Sequence, residues 1–174
     1  SCDTDSNGNA YQGGMPSRKC DANLAHTQPP MYILRSYSSD GQLNWSWSDY
    51  PYGYVSGGLR QAPNPISKVR CGGANVFTAQ SGYDTGPHIW LRRHHPADGS
   101  VMWSVDLSQM WTTSSGWHHT NLQFQLINAT ADTVLVVADV GLGSHTAQMT
   151  LDHSGAMIGA NLENQGVAAA CWMD

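Results

Sequence analysis

Eight histidines stand against 13 acidic residues in this chain of 174, and six of them, His88, His94, His95, His118, His119 and His145, fall within 58 residues. Neutral imidazole is a ligand for copper, zinc, nickel and iron. A zinc hydrolase is disfavoured, because no His-Glu-x-x-His occurs and Glu163 is the only glutamate. No Gly-x-Ser-x-Gly elbow is present, although composition alone leaves a Ser-His-Asp set open. Trp90 lies two residues after His88, and Trp117-x-His119 offers the same spacing in the opposite order. In an extended strand, side chains at i and i+2 share a face, so each pair sets an indole beside an imidazole. For any one of these histidines a polar outward position on a strand is the commoner role. The clustering is what favours a metal site.

The element that must position them is a hairpin over residues 88–107. Two alternating runs flank Pro96-Ala97-Asp98-Gly99, where Pro presets a turn and Gly accepts positive φ. Strand geometry predicts that His88, Trp90, Arg92 and His94 project one way, with Ile89 and Leu91 projecting the other. The same hairpin recurs at 32–45 and 148–158, with turn glycines Gly41, Gly99 and Gly155 spaced by 58 and 56 residues. A second register, Ser56-Gly57-Gly58-Leu59 and Ser114-Ser115-Gly116-Trp117, repeats at 58. His88 then falls opposite His145 in the next copy. Repeats of this length point to one supersecondary unit packed against copies of itself. Quasi-equivalent residues tend to face a common axis, so His88 and His145 are the candidate ligands for one ion held almost linearly, a geometry that favours Cu(I), with Trp90 beside it. Trp117, His118 and His119 form the reserve set.

Composition supports the strands. Lys19 and Lys68 are the only lysines, while Gly, Ser, Thr, Asn, Trp and Tyr are abundant, which favours strands and turns over amphipathic helices. The expected fold is all-β and loop-rich, a single domain over 1–174 with blade-like hairpins in roughly three quasi-repeats. Alternation at Leu122, Phe124 and Leu126 marks a further strand, Val134-Leu135-Val136-Val137 reads as a fully buried one, and 167–172 as a last strand. The net charge of −5 and the lack of a basic run argue against nucleic acid as a partner. No apolar run approaches the ~20 residues needed to cross a bilayer.

Residues 1–30 carry no alternating apolar run and are expected to form a polar loop region. Asp3, Asp5, Asn7 and Asn9 place oxygen ligands at alternate positions, as the first half of a calcium loop does, but Gly14 stands where a closing Glu belongs. An ordinary Asx-rich turn explains the run better than calcium. Cys2, Cys20, Cys71 and Cys171, without any Cys-x-x-Cys, suit two disulfides. Of the three pairings the expected one is Cys2–Cys20 with Cys71–Cys171, implying an oxidising compartment and a removed secretion signal.

The Asp-rich start, the β-rich chain and the Trp spaced two from a His resemble the surface copper-binding proteins of methanotrophs, the MopE and CorA group. The resemblance implies a secreted or cell-surface protein, on the outer surface of a bacterium, that binds copper for acquisition without turnover. It implies Cu(I) held by two histidines and a kynurenine made by oxidising a tryptophan. Those roles carry over to His88, His145 and Trp90, although the family's Trp-x-His order is met by Trp117 and His119. Asp98-Gly99-Ser100-Val101-Met102-Trp103-Ser104 is also similar to repeats of quinoprotein-type β-propellers, though three units are too few for an ordinary closed propeller. A different reading is a carbohydrate-binding or adhesive module, stacking sugars on Trp45, Trp47, Tyr50, Tyr52 and Tyr54.

Overall fold

A computed structural model describes residues 1–14, 32–49, 68–83, 87–107, 123–139 and 146–163. They form three four-stranded antiparallel sheets, each a simple meander in chain order. The first holds β1 (Cys2–Thr4), β2 (Ala10–Gly14), β3 (Tyr32–Tyr37) and β4 (Leu43–Asp49); the second holds β5 (Lys68–Gly72), β6 (Asn75–Tyr83), β7 (Pro87–His94) and β8 (Val101–Asp106). The third holds β9 (Gln123–Ala129), β10 (Thr133–Asp139), β11 (Thr146–Asp152) and β12 (Met157–Glu163). The fold is all-β, as composition predicts. Among the described residues no helix is long and apolar enough to cross a membrane.

The three hairpins read from the sequence are the third and fourth strands of each sheet. Their glycines, Gly41, Gly99 and Gly155, all take positive φ (85°, 75° and 87°), where any Cβ is strained. The turns close alike: Ser38 N–H donates to the Gln42 carbonyl, His95 N–H to Ser100 and Asp152 N–H to Ala156. The middle turn is one residue longer.

Sheet two lies between the other two, and β6 shows it. Val76–Gln80 are all buried, with Val76 in one core and Phe77 and Ala79 in the other. One core joins Tyr11 and Leu34 of the first sheet to Val69 and Val76, with Trp45, Trp47 and Cys71 against it. The second joins Phe77, Ala79, Leu91 and Leu107 to Val134, Val136, Met149 and Leu151. The run Val134–Val137 is buried throughout, as the absence of alternation predicts.

One device recurs at both junctions. Trp45, four residues after Gly41, lays its indole on Gly99 of the next sheet and donates Nε1–H to the Pro96 carbonyl at 2.9 Å. Trp103, four residues after Gly99, lies on Gly155 and donates to the His153 carbonyl at 2.9 Å. Each glycine is required by the indole as well as by its φ, since a Cβ on Gly99 would meet the Trp45 ring at 2.6 Å. Trp103 also packs against Phe77, with ring centroids 6.0 Å apart. Trp103→Ala should therefore cost about 2–4 kcal/mol in urea unfolding, and Trp103→Phe less, because the phenyl keeps much of the contact but not the hydrogen bond.

The N-terminal stretch departs from expectation. Instead of an unbroken polar loop, β1 and β2 pair around a turn at Asp5–Asn9, with Asp3 opposite Tyr11. The alternation is carried by Tyr11 and Gly13, too sparse a pattern to show as an apolar run. Cys2 and Cys71 are free thiols and are not joined to each other. Cys20 and Cys171, the partners expected for them, lie outside the described residues, as do the strand expected at 167–172 and the 56–59 and 114–117 repeat.

Candidate functional site

A meander places its connections alternately at two ends, and the three sheets stack with like ends together. At one end are the tight turns: Ser6 N–H donates to the Gly73 carbonyl across the first junction, and Gly72 abuts Thr130 across the second. The strands flanking 15–31, 50–67, 84–86, 108–122 and 140–145 all end at the other.

His88 is the second residue of β7 at that far end, opposite Gly82 of β6. Trp90 follows in the same strand, half-buried, opposite Gln80 and Asp106. His145 lies outside the described residues, directly before β11, which starts at Thr146 at the same end. Both histidines precede the first residue of their turn by seven, His95 in one sheet and Asp152 in the next. The repeat thus gives them equivalent places in the sequence. It does not give them a shared axis: the first strands contact one another between sheets (β1 with β5, β5 with β9), whereas β7 and β11 are third strands. Trp117, His118 and His119 lie outside the described residues. Among the described residues no three His, Cys, Asp or Glu side chains come together as a metal site.

His94 leaves the pool of ligands. It is fully buried, with Nδ1–H donating to the Gly99 carbonyl at 3.0 Å and Nε2 accepting from Thr78 Oγ1 at 2.8 Å. Trp47 meets it edge-on at 4.7 Å, and Arg92 stands over the same indole at 5.6 Å. Burial lowers the His94 pKa to about 4; the Gly99 hydrogen bond opposes this and the Arg92 charge adds to it. The imidazole is a neutral core group that ties the middle turn to its own sheet. Arg92 and His94 face the first sheet and Leu91 the third, as the alternation predicts.

The proposed sugar platform is partly consumed by the same packing, since Trp45 and Trp47 are half-buried against the second sheet. Tyr50, Tyr52 and Tyr54 lie outside the described residues.

The calcium candidates are all described. Asp5 Oδ1 accepts the Asn7 and Asn9 amide N–H groups, each at 2.9 Å, and Oδ2 accepts Asn9 Nδ2 at 3.0 Å and Tyr11 Oη at 2.9 Å. Burial pushes this carboxyl up, yet the hydrogen bonds from Asn9, Tyr11 and Asn7 prevail and hold it below the usual carboxylate range. Asp3 accepts from Thr4 N at 2.9 Å and from Cys71 N at 2.8 Å. The bonds to Asp5 make an Asx turn, and the Asp3 bond to Cys71 N pins the first sheet to the second. Burial, with the charges of Asp3 and Asp5, pushes the Cys71 thiol up to about 12, so it is a poor thiolate ligand.

Sequence reasoning missed the inter-sheet role of Trp45 and Trp103, although the signal was present as a tryptophan four residues after each turn glycine. No known protein family and no curated protein matches this chain.

Proposed function

We propose that the chain is a secreted or cell-surface copper-binding module without turnover, which captures Cu(I) for acquisition between His88 and His145, beside Trp90. The observation that carries the reading is the equivalence of the two positions: each lies on or directly before the third strand of its sheet, seven residues ahead of a matching turn, at the end where the long connections gather. Two neutral imidazoles suit a soft, monovalent ion that accepts linear coordination. Oxidation of Trp90 to kynurenine would add an aromatic amine as a weaker third donor. That conversion takes up dioxygen across the indole ring and, after hydrolysis, releases one carbon as formate. Affinity should fall below about pH 6, as the imidazoles protonate.

The test is competition for Cu(I) against a chromophoric chelator. His88→Ala and His145→Ala should each weaken binding by more than about a hundredfold, the scale on which metal sites respond to lost support. His95→Ala, on the exposed turn at the opposite end, should leave it unchanged. Equal affinity in all three variants would remove the site.

A further inference from the structure

The outer face of the first sheet carries the receiving half of the junction seen between sheets one and two. In the second sheet that half consists of Val76 opposite His94 and Thr78 opposite Arg92, with Gly99 beneath the Trp45 indole and the Pro96 carbonyl accepting its N–H. The first sheet repeats the pattern residue by residue. Ala10 stands opposite Tyr37, Gln12 opposite Arg35, and Gly41 occupies the turn. Arg35 precedes its turn by the same interval as Arg92, and the Ser39 carbonyl corresponds to those of Pro96 and His153, each the second residue of its turn.

The difference is what covers them. Gly99 and Gly155 are buried under indoles, whereas Gly41 is exposed and nothing among the described residues lies within 4 Å of where its Cβ would be. Arg92 is 6% exposed and sits over Trp47, but Arg35 and Gln12 face solvent.

The geometry points to this face as a docking surface for another four-stranded sheet of the same type, one that carries a tryptophan four residues after its turn glycine. The partner's indole lies on Gly41 and donates its N–H to the Ser39 carbonyl. A second aromatic ring two residues further on lies beneath the Arg35 guanidinium, as Trp47 lies beneath Arg92. A second copy of this chain does not supply the group through its third sheet, because Gly159 stands four residues after Gly155. The tryptophans of the first two sheets are already engaged.

The experiment repeats residues 1–67 ahead of the full chain, so that the added copy presents Trp45 and Trp47 to the original first sheet. Amide exchange in the original turn Ser38–Gln42 should slow by at least about tenfold. Trp45→Ala in the added copy alone, or Arg35→Glu in the original copy alone, should remove that protection. If the added copy does not gain strand structure, a cyclised peptide of residues 32–49 replaces it, and chemical shifts at 38–42 are the readout. Unchanged exchange beside a folded added copy, or an unchanged spectrum with the peptide, overturns the proposal. Protection of the turn in the unextended chain by dimerisation also overturns it, since the occupant would then be a second copy.

Discussion

Gly72→Ala should unfold the junction between the second and third sheets, at a cost of at least about 3 kcal/mol, the upper end of what overpacking does. The β-carbon would stand 1.9 Å from the Thr130 carbonyl oxygen, 2.5 Å from its carbon and 2.9 Å from its nitrogen. All three are backbone atoms, so no side-chain rotation relieves the clash. Relief requires moving the turn between β9 and β10 away from β5, and the same turn receives the Asn75 amide at the Ala131 carbonyl. Gly14→Ala is the matched control. It also lies in a strand, has no described neighbour within 4 Å of the added carbon, and should change stability by less than about 0.5 kcal/mol. Urea unfolding of the two variants against the parent decides the matter. Similar costs at the two sites would show that the sheets are not packed this closely.

The second large effect is a loss of stability in mild acid. His94 has a folded pKa near 4 against an ordinary value of 6.5, so the folded state binds fewer protons than the unfolded one between those values. The stabilisation tied to the neutral imidazole is fully present above about pH 6.5 and is lost as pH falls toward 4. Its full size is about 3 kcal/mol. Asp5 acts in a lower window. Its folded pKa lies below 3.8, so its contribution is present above that value and disappears only in stronger acid. Unfolding free energies at pH 7.5, 5.5 and 4 should therefore fall progressively in the parent. In His94→Gln, which keeps an amide able to reach Thr78 or Gly99, the decline over this range should be much flatter. An equal decline in the variant would place the titrating group elsewhere.

Much of the scaffold was legible because its rules are local. Period-two alternation and turns with a glycine in the left-handed region gave the three hairpins, and the spacing of Gly41, Gly99 and Gly155 gave their equivalence. Val134–Val137 announced a strand buried on both faces. What escaped was either sparse or non-local. The strands β1 and β2 rest on Tyr11 and Gly13, and a hairpin of so few core residues leaves no periodic trace. His94 counted only as one of the clustered histidines on an alternating face with Trp90 and Arg92; the packing of Trp47 and the reach of Thr78 reveal a core group. The Asx turn at Asp5 was legible, and the structure shows it, with Oδ1 accepting the Asn7 and Asn9 N–H groups, but the reach of Asp3 to the Cys71 N–H was not. Carboxylates that satisfy backbone N–H groups across a sheet junction have the same sequence as carboxylates that await a cation. Trp45 and Trp103 were visible as residues, but their partners lie 50 or more positions away.

The proposed site rests on the repeat. Equivalent strand positions place His88 and the residue before Thr146 at one end of neighbouring sheets, and the imidazole pair is an inference from that equivalence together with the chemistry of Cu(I).

The most direct test is intact mass together with metal analysis on protein from its natural source. The copper reading predicts about one copper per chain, as expected for one two-histidine site, and a peptide containing Trp90 whose mass reflects the loss of one carbon and the gain of one oxygen. A chain that carries no copper and keeps every tryptophan unmodified would contradict it.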